Sequence, residues 1–87
     1  MPYITDKVKV GLSPITDAFA NCVIGSPGEL NYLFTRVIMD YTINEGLTYQ
    51  TINDVIGALE GAKMEFYRRV ATPYEEGKIV LNGDVYV

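Results

Sequence analysis

Two apolar stripes at helical spacing, separated by a few residues, constrain this chain more than any other feature. The first is Leu30, Leu33, Phe34, Val37, Ile38 and Tyr41. The second is Ile52, Val55, Ile56, Leu59, Ala62, Phe66 and Val70. Each recurs at i, i+3, i+4 and i+7, the period of one helix face. The start and stop signals agree with that reading. Ser26-Pro27-Gly28-Glu29 is a capping box with proline at the first helical position. Asn44-Glu45-Gly46 closes the first helix, and Thr48 caps the second. So short a connection predicts that residues 27–45 and 49–71 pack as antiparallel rods.

The flanks are read the same way. Thr5 to Gly11 predicts one short helical turn, with Thr5 as cap and Gly11 as stop. Ser13 then acts as N-cap with Pro14 behind it, and Ile15, Ala18, Phe19, Cys22 and Val23 share one face up to Gly25. Thr72-Pro73-Tyr74-Glu75 repeats the Ser/Thr-Pro-x-Glu pattern. It either starts an extra helical turn or kinks the preceding helix. The tail from Lys78 to Val87 changes period around Asn82-Gly83, a strong two-residue hairpin signal. It places Val80 opposite Val85 and Ile79 opposite Tyr86. The expected fold is therefore mainly α: an antiparallel helical hairpin, a short N-terminal helix and a small C-terminal β-hairpin, in a single domain of residues 1–87.

Composition narrows the function classes. Eighty-seven residues build a limited core, which small domains supplement with disulfides, metals or partner subunits. One cysteine, Cys22, excludes an internal disulfide, and zero histidines argue against structural zinc. A homo-oligomer is the expected compensation. Seven basic against 11 acidic side chains argue against duplex nucleic acid, which needs a basic face. No apolar run approaches the ~18–20 residues of a membrane span. The N-terminus lacks a signal-peptide core, and a lone thiol suits a reducing cytoplasm.

Candidate site residues lie on the two long helices. Asn31 and Arg36 belong to the first; Asn53, Glu60, Lys63, Tyr67 and Arg68 belong to the second. One reading makes them solvated ion pairs along each helix, with Glu60 beside Lys63, and Glu65 beside Arg68 and Arg69. Another joins Arg36 to Glu60 or Asp54 between helices. A third gathers Arg36, Lys63 and Arg68 into an anion pocket walled by tyrosine, since a guanidinium fork suits phosphate and aromatic rings suit bases. Gly57 and Gly61 form a small-x-x-x-small pair that lets another backbone come close. The partner is a neighbouring helix, a second protomer or a ligand. Tyr32, Tyr49, Tyr67 and Tyr74 lie off the apolar stripes, and tyrosine suits interfaces. Tyr32 and Tyr86 join the two glycines as candidate interface residues. Cys22 reads as a core residue.

Enzyme signals are weak. There is no histidine for acid–base work, no phosphate loop of the required spacing, and no metal cluster or cofactor motif. Glu60 with Asp54 or Glu29 offers Mg²⁺ only a sparse set of carboxylates, where helical nucleotide hydrolases use several.

Gly28–Arg36, Tyr49–Ile79 and Asn82–Tyr86, with Pro2–Ile4 at the start, resemble a family of small, functionally uncharacterised proteins. That family is encoded mostly by bacteriophages and metagenomic sequences. Its most distinctive part here is Ile52–Pro73, while the N-terminal third departs more. Ala58–Pro73 is also similar to the long helix of small phage proteins that sequester cyclic nucleotides as oligomers. The resemblance carries no catalytic residue. It implies a non-catalytic binding protein acting on a host factor or defence component in the bacterial cytoplasm. The alternatives are a small-anion or cyclic-nucleotide sequestering protein and a Mg-dependent nucleotide hydrolase.

Overall fold

A computed structural model describes residues 3–86. Helix follows helix: α1 (Asp6–Gly11), α2 (Ser13–Ala20), α3 (Pro27–Glu45), α4 (Tyr49–Phe66), a π turn (Tyr67–Ala71) and α5 (Thr72–Asn82). These group into two compact units, one ending at Val55 and one beginning at Ile56, inside α4.

In the first unit the caps follow the sequence closely. Thr5 Oγ1 accepts from Val8 N–H at 3.3 Å to start α1. Ser26 Oγ accepts from Glu29 N–H at 3.1 Å, as the capping box requires. Thr48 Oγ1 accepts from Thr51 N–H at 3.1 Å and starts α4. α2 departs from expectation. Leu12 is its N-cap, and Ser13 is already helical, with its hydroxyl donating back to Val10 O at 2.7 Å. Only Leu12 separates α1 from α2, so no room remains for Ser13 outside the helix. α2 also stops at Ala20, with Asn21 as C-cap, rather than running to Gly25. Cys22 and Val23 therefore leave the helical face, and Cys22 is an exposed free thiol instead of a core residue.

Within the first unit, the expected packing of α3 on the opening turns of α4 is not borne out. The elements whose backbones approach closely are α1 with α2, and the π turn with α5. On α3, Leu30 is 42% exposed, Phe34 51%, Val37 56% and Tyr41 42%. Leu33 and Ile38 are half-buried. On α4, Ile52, Ile56, Leu59 and Phe66 are exposed, and Val55 is half-buried. Among the described residues no apolar side chain is buried; the buried one is Thr51, at 5%. The connection shows a physical reason. Gly46 has φ 87° and ψ 150°, so the chain leaves α3 extended. A left-handed helical residue there would have closed a tight αα turn.

The C-terminal β-hairpin is absent: no described residue is in a strand, and the segment is helix α5 through Asn82. Asn82-Gly83 acts as a helix stop instead. Gly83 takes φ 85°, and its N–H donates to Ile79 O at 2.8 Å. Extending an existing helix fixes one residue per hydrogen bond, whereas a lone hairpin is marginal in water. Helix propagation through the π turn thus overrides the β-propensity of Ile79 and Val80. Val80 and Val85 are both exposed, as is Tyr86, whose N–H donates to Asp84 Oδ1 at 2.9 Å. Val87, the end of the expected second strand, lies outside the described residues.

Pro73 produces neither of the two expected outcomes alone. It has no N–H to give Arg69 O, and its ring crowds that carbonyl. The helix responds by widening: Thr72 N–H donates to Tyr67 O, five residues back. The run from α4 to α5 continues through this π turn.

Candidate functional site: a cleft at the π turn

The second unit carries a shallow, largely open depression of about 430 Å³, here called the cleft, lined by Glu60, Lys63, Met64, Tyr67, Arg68 and Thr72. Helical spacing accounts for most of it. Glu60, Lys63, Met64, Tyr67 and Arg68 recur at i, i+3, i+4, i+7 and i+8 on one side of α4 and the π turn. The wider turn then brings Thr72 to the same side.

Its charges are largely matched. Lys63 Nζ lies 3.7 Å from Glu60 Oε1, both side chains being well exposed. Glu65 sits beside the cleft as the hub of a tighter cluster. Arg69 Nε donates to Glu65 Oε2 at 2.9 Å. Arg68 Nη2 donates to both carboxylate oxygens, at 3.0 and 3.1 Å. These bonds, Arg69 first and then Arg68, hold the Glu65 carboxyl below its ordinary range. The Glu65 side chain is only 17% exposed.

Four of the seven expected ligand residues therefore meet: Glu60, Lys63, Tyr67 and Arg68. Asn31, Arg36 and Asn53 belong to the other unit. Arg36, Asp54 and Glu60, expected to bridge two helices, each have a local partner. Arg36 lies 3.8 Å from Asp40, one turn on in α3. Asp54 accepts from Gln50 Nε2 at 2.8 Å. Asn31 is engaged with Thr35, whose hydroxyl donates to Asn31 O at 3.0 Å. Local pairs win because (i, i+4) neighbours need no tertiary packing to meet. Among the candidate interface residues, a Cβ added at Gly57 would meet nothing within 4 Å. Among the described residues no close approach explains that glycine. Gly61 is half-buried, and Tyr32 is exposed.

Sequence reasoning missed Met64 and Thr72 as lining residues. Met64 was within reach, being one turn from Glu60. Thr72 joins through the π turn, whose signal was Pro73.

A family model described as Domain of unknown function (DUF6899) matches residues 1–85. The chain belongs to this family. No curated protein and no solved structure matches it. The chemistry of this DUF6899 member is modest. Among the described residues no three or more acids or cysteines gather as a metal site. No helix among them is long and apolar enough to cross a membrane. The cleft sets an ammonium and a guanidinium, already paired with Glu60 and Glu65, beside a phenol and a thioether.

Proposed function

We propose that the protein is a non-catalytic binding protein that presents the apolar faces of its helices to macromolecular partners. One observation carries this reading: the amphipathic stripes are regular, yet their large side chains stand exposed. Exposed apolar faces of this extent mark interaction surfaces. The sequence resemblance supplies the setting, a phage-type protein acting on a host factor or defence component in the bacterial cytoplasm. A homo-oligomer fits a chain that has one cysteine and no histidine to staple a small core.

The test compares the native chain with Phe34→Glu as baits in bacterial lysate. A partner captured by the first and lost with the second supports the reading. Identical captures, or none, overturn it.

A second reading is a small-anion or nucleotide binder, favoured by the convergence of Glu60, Lys63, Tyr67 and Arg68 on one cleft. A ligand that binds the native state raises the melting temperature. A thermal-shift panel of mono-, di- and cyclic nucleotides decides it: a rise that Lys63→Ala abolishes supports the site, and a flat panel removes it. The Mg-dependent hydrolase has no gathered carboxylates among the described residues in its favour. Phosphate release from nucleoside triphosphates with Mg²⁺ would revive it.

A further inference from the structure

We propose that the apolar face of α3 pairs with α3 of a second copy, antiparallel, about a twofold axis level with Thr35 and Arg36. This rests on the reading that the helix faces are docking surfaces, and it names the occupant of one of them.

The stripe on α3 reads the same in both directions. Reversed about the midpoint of Thr35 and Arg36, Leu30 falls opposite Tyr41, Leu33 opposite Ile38, and Phe34 opposite Val37. A twofold interface requires this self-complementarity, because each residue meets the partner that meets it. Two of the three pairings set a large side chain against a smaller one, Phe34 against Val37 and Tyr41 against Leu30. That lets knobs enter holes.

Charge points the same way. Glu45 stands in the last turn of α3, and that turn holds no basic residue. A carboxylate there opposes its own helix dipole. The same reversal brings Glu45 opposite Ser26, at the start of the other copy's α3. There the positive end of the dipole favours a carboxylate. A mismatch within one copy thus becomes a match between two.

Area fixes the expected strength. Nineteen residues give α3 a length of ~28 Å. Half the circumference of a helix is ~16 Å wide, so a pair buries on the order of 900 Å². That lies below the about 1,200–2,000 Å² of stable interfaces, among weak and transient pairs. The dimer is therefore expected to be weak and reversible, and populated only at high chain concentration.

The experiment uses the full chain in a Cys22→Ser background. One preparation carries Leu30→Cys, another Tyr41→Cys, and each is oxidised alone and as a mixture. In the antiparallel pair the position of Leu30 in one copy stands ~16 Å along the axis from the same position in the other, too far for a disulfide. The expected result is a linked dimer in the mixture containing one chain of each kind, and little from either preparation alone. Sedimentation of the unmodified chain at about 0.2 mM should show a dimer, which Val37→Glu dissociates at least tenfold more readily. Ready linkage of Leu30→Cys with itself would mean a parallel pair and overturn the proposal. A monomer at that concentration with no linkage overturns it too, including the case in which Val37→Glu merely unfolds the monomer because the face is covered within its own chain. Where no pairing is found but lysate capture still depends on Phe34, the docking surface stands and its occupant is a different protein.

Discussion

Thr72 N–H donates to Tyr67 O across five residues, one more than an α-helix allows. That bond ties the cleft to a single proline. Pro73 denies a donor to Arg69 O, and the π turn absorbs the lost bond while bringing Thr72 beside Tyr67 and Arg68. Pro73→Ala restores the donor and should let an ordinary α-helix run through. Stability should rise by about 1–3 kcal/mol, since proline inside a helix costs roughly that against alanine. Backbone chemical shifts of residues 67–72 should move to α-helical values. Unchanged shifts and an unchanged urea midpoint would show that something other than Pro73 holds the turn.

Glu65 makes stability depend on acid. Its folded-state pKa lies below the ordinary 4.5, because Arg69 and Arg68 bond to the ionised form. A depressed carboxyl pKa contributes stability that is present above the unfolded value and is lost as pH falls through the folded one. Glu65→Gln should therefore lower the melting temperature at pH 7. The gap to the native chain should close as pH drops below about 4.5. A gap that stays constant to pH 3 would assign the effect to packing, not ionisation.

Local signals were legible, and tertiary ones were not. Thr5, Ser26 and Thr48 cap the helices that the sequence assigns to them. A cap is a contact over three residues, so its physics is wholly local. The four cleft residues share one helix face for the same reason. The packing of α3 on the opening turns of α4 failed, because an apolar stripe says that a face seeks cover without saying what covers it. The Asn82-Gly83 turn failed because glycine with positive φ serves a hairpin and a helix end equally well. Only the helix arriving through the π turn decides between them.

Ser26→Ala tests how far α3 depends on its start. The hydroxyl satisfies Glu29 N–H at 3.1 Å, one of the four amides that a helix leaves without partners. Losing it should destabilise the chain by about 1 kcal/mol. Ser26→Asp should restore most of that, and circular dichroism with urea titration reads both. Equal stability of all three chains would show that Pro27 alone sets the start of α3.

Gly57 and Gly46 should respond to alanine in opposite directions. At Gly57 the new Cβ meets nothing within 4 Å, and the residue lies inside α4. Gly57→Ala should then raise the stability of the isolated chain by about 1 kcal/mol, the helix-propensity difference. At Gly46 the space is equally open, but φ is 87°. Gly46→Ala should cost about 1–3 kcal/mol of backbone strain. Gly57 matters further, because no contact among the described residues requires it to lack a side chain. If a second backbone or a ligand comes close there, Gly57→Ala stabilises the free chain while weakening assembly or binding. Urea denaturation and sedimentation on the same samples separate the two effects. A stabilised variant that still assembles and captures partners as the native chain does would leave Gly57 with no role at an interface.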